Sequence, residues 1–162
     1  MTNISIALAA MQDGQVLKIN PQGTSMCPFF YGGRDCVYVA VPQFPLKRGD
    51  IALFLRTDNT YVIHRVYKVK TKQGTREYYM MGDNQNFIEG PIDESQIHAV
   101  AKSIVRKGKI IDCKKNMLYR FCSKLWLILR PLRPLFISAW NHSHIKKRRA
   151  SSNEAKNQKS SG

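Results

Sequence analysis

Along residues 15–20 (QVLKIN) apolar and polar side chains alternate, the pattern of a strand buried on one face. A second candidate, 36–41 (CVYVAV), is a run of β-branched and aromatic residues that Pro42 stops. The same reading gives strands at 50–56, 61–70, 77–81, 97–106 and 109–113. Gln73 with Gly74, and Lys107 with Gly108, mark hairpin turns. Short strands at this spacing predict a mainly β domain, small and curled or barrel-like. Both ends of the chain carry helical patterns. The apolar run 4–11 stops at Asp13 and Gly14, which predicts a short N-terminal helix. After Asn116, Met117, Phe121, Leu125 and Ile128 recur at helical spacing, with Arg120 and Lys124 on a more polar side. This predicts a C-terminal amphipathic helix, interrupted by Pro131 and Pro134. The expected organisation is a β domain over 1–113, a basic helical segment over 114–140 that ends in an apolar remnant at 135–140, and a disordered basic tail over 141–162.

Charge changes the picture by its distribution. The chain carries a formal +15, but Met1 to Ala101 holds 10 Lys/Arg against 9 Asp/Glu, and the remainder holds 16 against 2. A near-neutral domain therefore bears a basic attachment region. No base-reading motif accompanies that region, so no specific nucleic-acid partner is expected. The cysteines Cys27, Cys36, Cys113 and Cys122 form no CxxC pair and no zinc-ligand spacing with the histidines. Neither metal nor cofactor is expected, and reduced thiols in a cytosolic environment are the simplest reading; Cys27 and Cys36 would be the pair to join in an oxidising one. The run 4–11 has no basic residue before it and is too short to span a bilayer, so neither a secretory signal nor an N-terminal span is expected.

Candidate chemistry lies in segments that occur in a fixed order. They are GTSMCP at 23–28, RGDIALF at 48–54, YVIHRV at 61–66 and YYMMGDNQN at 78–86. Taken singly, a serine in a glycine-rich loop, a histidine on a strand and a Gly-Asp-Asn turn are common structural features. Together the four boxes resemble the signal-peptidase and LexA-like superfamily of serine peptidases, over roughly 16–105. The resemblance implies a β peptidase fold, with Ser25 as nucleophile and His64 as general base. It points to the histidine branch found in endoplasmic-reticulum, archaeal and sporulating-bacterium enzymes, because the chain reads Ile63, His64, Arg65, Val66. An imidazole near its ordinary pKa of ~6.5 accepts a serine proton at neutral pH with little tuning. Lys68 and Lys70 share the face of His64 by period two, so a lysine base stays open on geometry alone.

The resemblance assigns Asp83 as the third catalytic residue, orienting His64. Capping of its own turn is the structural alternative. Glu89 is the other candidate acid, standing where endoplasmic-reticulum enzymes carry a second acidic pair. At the position where many relatives have an oxyanion-donating serine, this chain has Gly23. The Ser25 backbone N–H, helped by Thr24, is then the expected oxyanion donor. Met26 is expected to pack beneath the loop. The expected substrate is a peptide or protein with a leader or signal-type segment. A cytosolic LexA-like processing protease and a non-catalytic peptide-binding module are the alternatives. The segment 114–149 is a candidate for an anionic membrane surface, which would make the protein peripheral on the cytoplasmic side, or cytoplasmic if that helix packs on its own domain.

Overall fold

Alternating strands separated by tight turns give an antiparallel meander with two crossovers. In this computed structural model, which describes residues 3–132, eight strands form one sheet. They are β1 (Leu17–Ile19), β2 (Cys36–Ala40), β3 (Ile51–Leu55), β4 (Tyr61–Lys72), β5 (Thr75–Met81), β6 (Glu89–Ile92), β7 (Ile97–Arg106) and β8 (Lys109–Asp112). Their order is β1-β2-β7-β3-β4-β5-β6, with β8 paired to β7. The sheet curls without closing, so β1 and β6 remain at its ends. The curl has a local cause. Register shifts fall within four strand pairs, and each such bulge bends and twists the strand that carries it.

The central strand β3 shows why the fold holds. Ile51 and Leu53 face one core with Met26, Phe30, Val37, Val39 and Ile63, while Ala52 and Phe54 face another with Val66, Tyr78, Met80 and Ile97. A strand buried on both faces reads as a continuous apolar run, and IALFL does. Met26 is buried in the first core, beneath the loop that carries Ser25, as the sequence suggested. The short helix α1 (Asn3–Ala9) covers the same core through Leu8.

The helix α2 (Met117–Ile128) begins at Asn116, whose side-chain oxygen accepts the Tyr119 N–H at 2.8 Å as an N-cap. The compact unit runs from Met1 to Ile128, so α2 packs with the sheet. The side that packs is not the one the apolar repeat suggested. Ser123 and Leu127 are buried, whereas Met117, Phe121, Leu125 and Ile128 are exposed. No described helix is long and apolar enough to cross a membrane. The apolar remnant expected at 135–140 and the tail expected at 141–162 lie outside the described residues.

Candidate active site

Ser25 sits in the turn-rich connection between β1 and β2, and two neighbouring segments fix that loop. Gly32 N–H donates to the Gly23 carbonyl at 2.9 Å, and Gly33 N–H to the Pro21 carbonyl at 2.9 Å. The approach requires glycine: a Cβ on Gly32 would stand 2.4 Å from the Gln22 carbonyl carbon. From the other side, Asn84 N–H donates to the Ser25 carbonyl at 2.7 Å. The Gly82, Asp83, Asn84 turn thus clamps the serine loop. Gly23 itself has φ of +80°, a left-handed conformation that favours glycine, which gives a physical reason for the missing serine hydroxyl.

His64 lies on β4, opposite Ala52 of β3. The register also delivers its partner. Val66 pairs with Met80 and Met80 pairs with Glu89, so Glu89 reaches the face of β4 that carries His64. Glu89 Oε1 stands 2.8 Å from His64 Nδ1. The oxygen is close, but His64 Nδ1 makes no well-aligned hydrogen bond, so the contact is an electrostatic one. Arg56 grips the same carboxylate with two bonds, 2.5 Å from Nε and 2.7 Å from Nη2. Burial holds the imidazole below its ordinary pKa, Glu89 pulls it back up, and Arg56 pushes it down. The result is a neutral imidazole at physiological pH, with Nδ1 against a carboxylate and Nε2 left to take a proton.

The structure places Asp83 against Arg65 and not in contact with His64. Its carboxylate is fully buried and paired with Arg65, through Nε at 2.9 Å and Nη2 at 2.7 Å. Arg65 donates further to the Gly49 carbonyl at 2.9 Å, to Ser123 Oγ and, at 3.4 Å, to Tyr119 OH, and it lies 4.7 Å over the Phe29 ring. Burial works against the guanidinium, and Asp83 and Tyr119 together more than offset it, so Arg65 keeps its charge. Asp83 is therefore a structural anion for Arg65, and the carboxylate on His64 is Glu89. The lysine alternative also fails on geometry. A bulge at Tyr67 breaks the period-two alternation after Val66, and both Lys68 and Lys70 are exposed.

Ser25 and His64 line one cavity of about 690 Å³, together with Gly23, Thr24, Arg56 and Gln85. No hydrogen bond joins Ser25 to His64 here; such contacts often tighten only around a bound substrate. The cavity is also flanked by Leu17, Lys18 and Ile19 of β1 and by Tyr61, Val62 and Ile63 of β4. Among the described residues β1 pairs only with β2, and its other edge is unpaired by them. Sequence reasoning missed Arg56, which lies just past the 48–54 segment, and Gln85, which lies within 78–86 but was given no role. Gln85 accepts the Gly82 N–H through Oε1 at 3.2 Å, which leaves its amide NH₂ as a donor at the cavity. No protein-family model matches the chain, and no curated protein matches it at a significant level.

Proposed function

We propose that this chain is a serine endopeptidase of the signal-peptidase and LexA-like kind, acting on a leader or signal-type peptide. The observation that carries the reading is that Ser25 and a buried His64, the latter set against Glu89, line the same cavity. In this mechanism the peptide enters extended along the open edge of β1, where backbone pairing supplies affinity without demanding a sequence. Ser25 Oγ attacks the scissile carbonyl while His64 Nε2 takes the hydroxyl proton. The C–N bond then breaks, and His64 gives that proton to the leaving amine. Water, deprotonated by the same imidazole, opens the acyl-enzyme and frees Ser25. Glu89 stabilises the imidazolium that forms in each half. The oxyanion is met by the Ser25 backbone N–H, with the Gln85 amide in the place Gly23 leaves empty and Thr24 beside it.

The test is a serine-reactive fluorophosphonate probe. Labelling of the wild type, lost in Ser25→Ala and strongly reduced in His64→Ala, supports the enzyme. Absence of labelling together with retained peptide binding would support the non-catalytic module instead. The same reading places the enzyme peripherally on the cytoplasmic face of a membrane. Its four unpaired thiols suit a reducing compartment, and an exposed apolar side of α2 suits a lipid boundary.

A further inference from the structure

A second cavity, of about 440 Å³, lies apart from Ser25 and His64, between the 43–51 connection, β7 and α2. Its charge is lopsided. Lys47, Arg48, Lys102, Lys114, Arg120 and Lys124 all line it, against the single carboxylate of Asp50. That carboxylate already accepts the Lys47 backbone N–H at 2.8 Å. None of the six cations makes an ion pair within the described residues. They converge from separate parts of the chain, and the fold works to bring them together. Lys102 is the bulged residue of β7, skipped where Tyr38 pairs with Ser103 and Val39 with Ala101. Six cations around one concave space repel one another, and a bound anion relieves that repulsion.

The helix that walls this cavity identifies the kind of anion. Arg120 and Lys124 form a row one turn apart on α2, between its buried side and its exposed apolar side. Met117, Phe121, Leu125 and Ile128 make that exposed stripe, at 80%, 65%, 41% and 68% exposure. A free phosphate would satisfy the cations and leave the stripe in water. An anionic phospholipid presents a phosphate and an apolar layer side by side, in the order this surface offers them.

We propose that this cavity is the headgroup site for an anionic phospholipid, with the exposed stripe of α2 set into the acyl boundary beside it. The proposal rests on the peripheral-membrane part of the functional reading and is independent of the peptidase part. The experiment is co-sedimentation of the full chain with vesicles of phosphatidylcholine alone or with about a third phosphatidylglycerol. Each basic residue near an anionic surface adds ~1 kcal/mol, or about fivefold in affinity. The triple variant Lys47→Gln, Arg48→Gln, Lys102→Gln should therefore lose tenfold or more. The control triple Lys68→Gln, Lys70→Gln, Lys72→Gln removes the same charge from the exposed end of β4 and should lose under threefold. If the cavity triple unfolds, as judged by its circular-dichroism melt, Arg120→Gln with Lys124→Gln takes its place. Phe121→Ser should weaken binding to the anionic vesicles while leaving the difference between the two triples intact. Equal losses for the two triples would reduce the effect to nonspecific charge and overturn the site. Equal binding to both vesicle types would overturn it too. Chemical-shift changes at the cavity with glycerol phosphate, in a protein that ignores vesicles, would assign the site to a soluble phosphate and overturn the lipid source. Fluorophosphonate labelling of Ser25 in the cavity triple should equal that of the wild type, so a failed vesicle result leaves the peptidase reading untouched.

Discussion

Replacing Glu89 by Gln removes one charge from the candidate site and very little volume. In the folded protein Glu89 Oε1 is 2.8 Å from His64 Nδ1. When the imidazole takes the serine proton, that contact becomes an ion pair, worth ~6 kcal/mol at an effective dielectric near 20. Two features reduce it. Arg56 shares the carboxylate through two bonds, and His64 Nδ1 makes no well-aligned hydrogen bond. About half, ~3 kcal/mol, is then the expected loss of transition-state stabilisation, or roughly a hundredfold in rate. The assay is the second-order rate of fluorophosphonate labelling at Ser25, which needs no knowledge of the natural substrate. Its pH profile carries a second expectation. Burial lowers the His64 pKa, so the wild-type rate should fall only as the pH drops below ~6.5 and the imidazole protonates. Glu89 raises that pKa and Arg56 lowers it, so Glu89→Gln leaves Arg56 unopposed and should move the acid limb still lower. Stability should change by no more than ~1 kcal/mol, since the Arg56–Glu89 pair is partly solvated. A variant that labels within threefold of wild type, with its acid limb unmoved, would refute the assignment of Glu89.

Asp83→Ala strands a buried guanidinium and should cost ~3–5 kcal/mol in a urea titration, and an unchanged midpoint would show that Arg65 has another counter-ion. Gly32→Ala should displace the Ser25 loop and cut labelling more than tenfold, because its Cβ meets the Gln22 and Gly23 backbones at 2.4–2.6 Å. Trp126 donates its indole N–H to the Asp83 carbonyl at 2.9 Å, so Trp126→Phe should lose ~1 kcal/mol by thermal melting, and no loss would argue against that bond. Burial raises the Cys27 and Cys113 thiols to about 11, so alkylation of the folded protein at neutral pH, followed by mass spectrometry, should mark exposed Cys122 ahead of either.

The strands that carry Ser25's neighbours and His64 were legible because their apolar patterns are long, as in β4 and β7. Strand β6 was not, since Gly90 and Pro91 interrupt it. A proline is tolerated there because β6 ends the sheet and has an edge with no ladder to donate to. Glu89 was named through the resemblance alone, because its approach to His64 comes through the pairing across β5. The lysine alternative rested on unbroken alternation, and one bulge at Tyr67 removes it. Helix α2 was visible, yet its packing side was not. Hydrophobic periodicity finds faces that pack on apolar cores, and this helix brings Tyr119 and Ser123 to a buried cation.

That cation also sets an order on the protein's synthesis. Arg65 emerges from the ribosome well before Tyr119 and Ser123, and the Ser123 hydroxyl that accepts from it lies 58 residues later. The sheet can pair through β8 while Arg65 still depends on water for its remaining donors. Only when α2 has been made can the guanidinium be sealed, and with it the turn whose Asn84 N–H holds Ser25. Helix α2, translated after every strand of the described sheet, is thus the element that completes this interior, and a nascent chain released before it would keep its candidate site open to solvent from behind.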